Sequence, residues 1–426
     1  MLHNGVVRVL LLLPTATYRA PDFVAAAAAL GVEVVVGSER AQAMAGAMGD
    51  RALVVPLSDP GAAADAIEAL HRRSPVAAIV AVDEQGVVAA ATASERLGLR
   101  HNPPTAVATT RDKAAMRVVM GAAGLLQPAH RLVRPQDDTA AAAEAVGLPC
   151  VVKATSLSGS RGVIRADTPA EAVAVAERVR AIATDAGSAP DAPVVIEAFV
   201  PGVEVAVEAL LRGGLLHVLA TFDKPDPLDG PYFEETIYVT PSRHPTTVLA
   251  RLHDTVGRAA AAIGLVEGPI HAEARITPAG EVVVLEVAAR SIGGLCARTL
   301  RFGAGISLEE VILRHALDLP VGDLGREVAS AGVLMVPIPR SGTLRRVDGV
   351  EAAEAVPGVA GVEITVLAGR PVRALPEGDR YLGFVFARGD DPASVEASLR
   401  AAHACLDVVI DEPWPRTGGN WYRASR

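Results

Sequence analysis

Short runs of valine, isoleucine and leucine alternate with alanine-rich stretches through the first hundred residues. Val6–Leu13, Val32–Val36 and Ala77–Val82 read as buried strands, and Asp22–Leu30 and Gln85–Leu97 read as helices. Strands that are apolar throughout, rather than apolar at every second position, belong to a parallel sheet covered on both faces. Asn102-Pro103-Pro104 then punctuates the chain and marks the end of a first α/β domain, 1–104.

Beyond that point the pattern changes. A helix is predicted over Thr110–Ala123, a strand over Cys150–Lys153, and a β-hairpin pairing Ile270–Ile276 with Val282–Val287. The stretch Ala220–Pro245 is rich in proline, aspartate and aromatics, including Tyr232, Phe233 and Tyr238, and reads as a functional loop. The last hundred residues mix strands at Gly332–Pro337, Gly361–Leu367 and Leu382–Ala387 with a helix at Asp391–Leu406. The expected division is therefore 1–104, 105–322 and a small C-terminal α+β domain, 323–426.

A chain of 426 residues suits two or three packed domains, and half of it is hydrophobic with 21% charged. The net charge of -9, with no lysine or arginine run, argues against a nucleic-acid partner. Cys150, Cys296 and Cys405 lie far apart with no CxxC, so neither a disulfide framework nor a zinc site is indicated. The apolar start lacks a basic lead and is cut by Pro14, unlike a signal peptide. No apolar run approaches the roughly 20 residues of a membrane span. A cytoplasmic protein with no membrane partner is expected; its assembly is left open, a homodimer included.

The chemistry begins in the hairpin. His271, Glu273 and Arg275 share one face of their strand, and Val282, Val284 and Glu286 are expected to share one face of the partner. With a four-residue turn at Pro278–Glu281, Glu273 falls opposite Glu286. Facing carboxylates are destabilising unless a cation sits between them, and Mg²⁺ favours carboxylate and phosphate oxygens. Two glutamates on a wet sheet face are an equally ordinary outcome of the same pattern. Three further features each carry a weak signal. Ser156–Gly162, reading SLSGSRG, follows the strand Val151-Val152-Lys153 and offers backbone N–H groups and a lysine to phosphates, without a Walker pattern. Val194–Glu204 ends a strand in Glu197 and brings a second acid seven residues later. Arg290 lies four residues after Glu286 and precedes Gly293-Gly294, placed to clamp a carboxylate. Taken singly, each is more often a turn, a pair of surface acids or a salt bridge.

In order, Lys113, Val152-Lys153, Gly159-Ser160-Arg161-Gly162-Val163, Glu197-x-Phe199-Val200-Pro201-Gly202-x-Glu204, His271-x-Glu273 and Glu286-Val287-Ala288-Ala289-Arg290 resemble the ATP-grasp superfamily. Within it the chain is most similar to the L-amino-acid ligase (carboxylate–amine ligase) branch. The resemblance spans nearly the whole chain. It implies a pre-ATP-grasp α/β domain, a central ATP-grasp fold with a mobile lid at about 125–200, and a C-terminal α+β domain. It implies ATP and Mg²⁺ as cofactors, with Mn²⁺ as a substitute. Lys113 and Lys153 would contact phosphates, and Ser158, Gly159, Ser160, Arg161 and Gly162 would close over them. Glu197, Phe199 and Val200 would hold adenine, and Glu204 the ribose. Glu273 and Glu286 would carry the metal. His271 is counted with the cofactor-binding residues, although a histidine so placed is more often structural. Arg290 and Lys153 would be catalytic. Arg290, Gly293, Glu234 and His244 would face the small-molecule acid and amine substrates. Many ATP-grasp enzymes carry asparagine where this chain has Ala288, which leaves a second Mg²⁺ less well provided for.

The implied reaction has a carboxylate attack the γ-phosphorus of ATP, giving an acyl phosphate and ADP; an amine then displaces phosphate. Two other readings compete with it. One is an ATP-grasp carboxylase or purine-type ligase acting on bicarbonate or formate. The other is a catalytically silent ATP-binding regulator, which would be expected to have lost Glu273, Glu286 or Lys153. A dinucleotide site in the first domain is disfavoured, because Pro14-Thr15-Ala16-Thr17 follows the first strand where a G-x-G-x-x-G would stand.

Overall fold

The structure, a computed structural model, describes residues 7–15, 17–41, 45–303, 305–327 and 329–411. The beginning of the first predicted strand, Val6, and residues 412–426 of the expected C-terminal domain lie outside the described residues.

The first unit contains β1 (Arg8–Leu12), α1 (Ala20–Ala29), β2 (Glu33–Ser38), the short α2 (Ala45–Met48), β3 (Ala52–Val54), α3 (Pro60–Arg73), β4 (Ala78–Ala81) and α4 (Val87–Leu97). Its four strands are parallel in the order β3-β2-β1-β4. Both faces of β1 are dry, as its unbroken apolar run requires. Val9 and Leu11 pack with Phe23 and Ala26 of α1, while Leu10 and Leu12 pack with Ile67 of α3 and Ala89 of α4. Helix α3 is an element that the periodicity reading does not identify; Asp59 caps it by accepting from the Ala62 N–H at 3.0 Å.

Two helices, α5 (Pro104–Thr110) and α6 (Lys113–Ala122), lead to a separate antiparallel layer. That layer holds β5 (His130–Val133), α7 (Thr139–Val146), β6 (Cys150–Ala154), β7 (Val163–Ala166), α8 (Pro169–Asp185) and β8 (Val194–Ala198), in sheet order β5-β8-β6-β7. It has a core of its own, Val152, Ile164, Ala176, Val179 and Ile196 among others. This layer lies within residues 125–200, the stretch expected to form a lid, and is called the lid below.

The remaining elements are β9 (Val203–Arg212), β10 (Leu215–Asp223), β11 (Ile237–Thr240), α9 (Thr246–Ile263), β12 (Gly268–Ile276), β13 (Val282–Ala288), β14 (Arg301–Phe302), β15 (Ile306–Ser307), α10 (Leu308–Ala316), β16 (Ser330–Val336), β17 (Gly342–Asp348), α11 (Val350–Glu354), β18 (Val359–Ile364), β19 (Pro371–Val372), β20 (Gly383–Gly389), α12 (Pro392–Cys405) and β21 (Asp407–Asp411). One eight-stranded sheet runs β13-β12-β9-β10-β11-β16-β20-β18. It crosses the boundary expected at 322: β16 is buried at every residue and pairs with β11 on one side and β20 on the other. A strand buried in this way needs a partner on each edge, so the C-terminal strands extend the central sheet.

The hairpin corrects one expectation and upholds another. Ile276 pairs with Val282, so the connection is five residues long rather than four, and a bulge follows Glu273. The bulge admits Leu285 as an extra residue on β13 and restores Glu273 opposite Glu286. It also separates faces that simple alternation joins. Val282, Val284 and Val287 enter the core with Ile270, Ala272 and Ala274, whereas Glu286 turns to the other side.

The lid is docked on its surroundings. Gly162 N–H donates to the Pro376 carbonyl at 2.9 Å, Arg373 pairs with Asp185 at 2.6 Å, Arg178 pairs with Glu377 at 2.8 Å, and Arg165 N–H donates to the Pro231 carbonyl at 2.9 Å. Among the described residues no helix is long and apolar enough to cross a membrane.

The lid rejoins the central sheet at Gly202, whose φ of +121° lies in a region that side chains rarely adopt, and a Cβ there would stand 2.2 Å from the Ile276 carbonyl oxygen. Gly202→Ala should lower the unfolding free energy by more than about 1 kcal/mol, read as a lower urea midpoint at unchanged slope.

Candidate active site

A cavity of about 900 Å³ lies where the first unit, the lid and the central sheet meet. Its floor is the polar face of the hairpin. His271 is held from behind by Glu208, whose other oxygen accepts the Ile292 N–H at 2.9 Å. Burial alone would lower the imidazole pKa; Glu208 outweighs it and raises it to about 9. His271 Nε2 lies 3.3 Å from Glu273 Oε1. Lys224, buried, donates to Glu204 at 2.8 Å, Glu235 at 2.6 Å and Glu273 at 3.2 Å. Burial favours the neutral amine, but Glu204, then Glu235 and Glu273, hold its pKa well above the usual lysine range. Lys113 Nζ stands 3.1 Å from Glu286. Each of the two facing carboxylates thus has a lysine beside it.

One wall of the cavity is built by α6, β6 and the loop after it. Lys113 begins α6, capped by Asp112, and its Nζ also donates to the Leu157 carbonyl at 2.6 Å. Gly159 and Ser160 both have positive φ, 64° and 57°, which curls the loop at the cavity edge. Lys153 Nζ donates to Glu197 at 2.8 Å. Arg161 turns toward Asp185, 3.2 Å away.

The expected adenine residues divide by role. The guanidinium groups of Arg165 and Arg275 both lie over the Phe199 ring, 4.7 and 4.9 Å from its centre. The Val200 carbonyl accepts from Arg275 at 2.8 Å. Glu197 is 1% exposed, and both its oxygens are taken, by Lys153 and by Arg117 at 2.6 Å. Burial opposes its ionisation, yet Arg117 and then Lys153 hold its carboxyl well below the usual range. Its carboxylate anchors two cations and is not free to read adenine. Glu204, expected at the ribose, is likewise shared between Lys224 and Arg275.

Arg290 lines the cavity and is gripped by Glu84, which also pairs with Arg111 at 2.8 Å. Burial raises the Glu84 pKa, but Arg290 and then Arg111 bring it down to about 2. Neither Glu84 nor Arg111 is singled out by the motif reading. The available signal is that Glu84 follows β4, at the carboxyl end of a parallel strand, where such sheets place ligand-facing groups.

The cavity is also lined by Tyr18, Glu234, Glu235, Tyr238, Gly293, Met335 and Tyr381. Burial raises the Glu234 carboxyl above its ordinary value. His244 is not among the residues lining the cavity. Its segment leaves β11 toward α9, and there Arg243 is tied to Asp223 and Glu396 at 3.0 and 2.8 Å. Cys296 packs against Met335, sulfur to sulfur 3.4 Å, and burial pushes its thiol pKa up, in keeping with a packing role. Ala288 is 1% exposed and offers no ligand.

Family models match three stretches: an ATP-grasp N-terminal domain over residues 24–101, an ATP-grasp domain over 146–299, and an L-amino acid ligase C-terminal domain over 334–411. An uncharacterized protein of Sinorhizobium fredii is 27% identical over 307 residues, 72% of this chain and 63% of that one. Alanine–anticapsin ligase of Bacillus subtilis is 27% identical over 273 residues, 59% of this chain and 57% of the ligase. The chain thus spans about three fifths of the length of these curated relatives. Among solved structures, an L-amino acid ligase from Bacillus licheniformis superposes with a TM-score of 0.77 at 25% identity, covering 95% of this chain and 99% of the other. N5-carboxyaminoimidazole ribonucleotide synthetase from Thermotoga maritima, at 18% identity and a TM-score of 0.71, covers 95% of this chain and all of its own, and shows the shared fold.

Glu84→Gln leaves the partly buried Arg290 and Arg111 beside a neutral amide, and should cost about 2 kcal/mol at pH 7. Because the folded pKa is depressed, to about 2, the wild-type advantage is complete above the ordinary value of 4.5 and fades as pH falls below it. Urea unfolding of both proteins between pH 7 and pH 3 checks this: the difference should narrow with acid.

Proposed function

The chain belongs to the ATP-grasp superfamily, in its L-amino-acid ligase branch, and we propose that it is an ATP- and Mg²⁺-dependent carboxylate–amine ligase acting on L-amino acids. The observation that carries the reading is the register of the hairpin: Glu273 stands opposite Glu286 on the cavity side, in the cavity that Lys113, Lys153 and Arg290 also line.

These residues fit a hard divalent cation. Two carboxylates with oxygens turned to one cavity, flanked by room for phosphate oxygens, are what Mg²⁺ takes; Lys113 and Lys224 balance them in its absence. When bound, the cation would neutralise charge gathering on the transferred phosphoryl group. A second grouping, Glu204, Glu235 and Glu273, also has oxygens close enough for a cation, but Lys224 already stands at its centre.

The chain's own groups then divide the work. Lys113 and Lys153 position the phosphates. The backbone of Ser158, Gly159 and Ser160 closes over them and keeps out the water that would hydrolyse an acyl phosphate. Arg290, oriented by Glu84, meets the substrate carboxylate or the acyl phosphate with a planar two-pronged donor. A carboxylate oxygen attacks the γ-phosphorus and ADP leaves; the amine nitrogen attacks the acyl carbon, phosphate leaves, and the amine loses its proton. The contribution is mainly positioning and electrostatic stabilisation. The family relatives named for ligation of alanine and of amino acids favour this over bicarbonate or formate chemistry. The silent-regulator reading is disfavoured, because Glu273, Glu286 and Lys153 all converge on one cavity.

With ATP, Mg²⁺ and the twenty amino acids supplied singly and in pairs, ADP and phosphate should appear only with particular pairs. Glu286→Ala should reduce that release by at least about 100-fold, as loss of a direct metal ligand exceeds the effect of an outer partner. Release of AMP and pyrophosphate would contradict the acyl-phosphate route.

A further inference from the structure

Arg117 has no place in the mechanism above and does not line the cavity, yet it is among the most deeply buried large side chains, 1% exposed. Removing a guanidinium from water costs several kcal/mol unless it is fully paired. Its pairing joins two parts of the site that belong to different layers. Nε donates to Glu197 Oε1 at 2.6 Å, and Glu197 gives its other oxygen to Lys153 at 2.8 Å. One prong, Nη2, donates to the carbonyl of Leu285 at 2.8 Å. Leu285 is the extra residue of the bulge that brings Glu286 round to the cavity. Arg117 lies one helical turn after Lys113 on α6, and Lys113 touches Glu286 itself. The Arg117 carbonyl accepts from Gln127 at 2.8 Å, fixing the segment where the chain passes into the lid.

We propose that Arg117 is a positioning residue: it sets the distance between Lys153, on the lid, and Glu286, on the central sheet, by holding Glu197 and the Leu285 bulge from one guanidinium. This rests on the nucleotide-and-cation reading of the site. A lysine at 117 can still meet Glu197, but it lacks the planar fork needed to serve Glu197 and the Leu285 carbonyl together. The two arms therefore separate by substitution.

The test measures binding without turnover. ADP affinity is measured without metal, and Mn²⁺ affinity is measured by electron paramagnetic resonance at saturating ADP. The proteins are wild type, Arg117→Lys, Arg117→Met and, as a destabilised control remote from the site, Leu70→Ala in the core of the first unit. Arg117→Lys should bind ADP within about threefold of wild type while its Mn²⁺ affinity falls roughly 10-fold or more, the range seen when a metal ligand loses its outer partner. Arg117→Met should weaken both, and Leu70→Ala should lower the melting temperature and leave both affinities within about twofold. If both Arg117 variants melt earlier but bind ADP and Mn²⁺ like wild type, Arg117 is only a buried structural residue and the proposal fails. If wild type itself binds neither ADP nor Mn²⁺, the underlying reading of the site falls, and this inference with it.

Discussion

Glu273 and Glu286 face each other across adjacent antiparallel strands, where like charges repel, and they do so half-hidden from water. The surrounding structure is organised around that repulsion. Each carboxylate has a lysine of its own, Lys224 or Lys113. Behind them the charges alternate outward: Glu208 holds His271, Glu197 holds Lys153 and Arg117, and Glu84 holds Arg290 and Arg111. A buried charge without a partner is strongly destabilising, so each of these groups fixes the position of the next. The site is a lattice of paired charges around an open cavity, which the proposed function fills with phosphate and a divalent cation.

The layers supply what the lattice cannot. The central sheet gives a rigid floor, continuous into the C-terminal strands, and the first unit reaches in with Glu84 behind Arg290. The lid carries Lys153 and the curled loop on a small sheet with its own core. It is tied to the floor by charged and main-chain contacts at the cavity rim, such as Arg373 with Asp185 and Gly162 with Pro376, and by the buried bridge from Arg117 to Glu197 and the Leu285 carbonyl. Exposed ion pairs such as Arg373 with Asp185 contribute little individually.

Much of this was legible in the chain. The dry strands of the first unit and the Glu273–Glu286 register follow from hydrophobic runs, period-two alternation and motif order. What escaped did so for identifiable reasons. The bulge at Leu285 adds one residue to β13, and alternation cannot anticipate it, so Val284 was placed on the wrong face although the glutamates still met. The continuity of the central sheet depends on β16 having partners on both edges, a pairing between segments about ninety residues apart, Tyr238 with Val333 for example. Glu84 and Arg117 carry no motif; their importance lies in whom they touch. His244 was drawn into the pocket by nearness in sequence to Glu234, but the chain turns away at Pro241 toward α9.

The most direct test is a crystal structure with Mn²⁺ and a non-hydrolysable ATP analogue, with the metal located by its anomalous scattering. The account predicts a peak between Glu273 and Glu286, with an oxygen of each at about 2.1 Å and Lys224 still bonded to Glu204 and Glu235. A peak instead at the centre of Glu204, Glu235 and Glu273, with Lys224 displaced and Glu286 unbound, would contradict it.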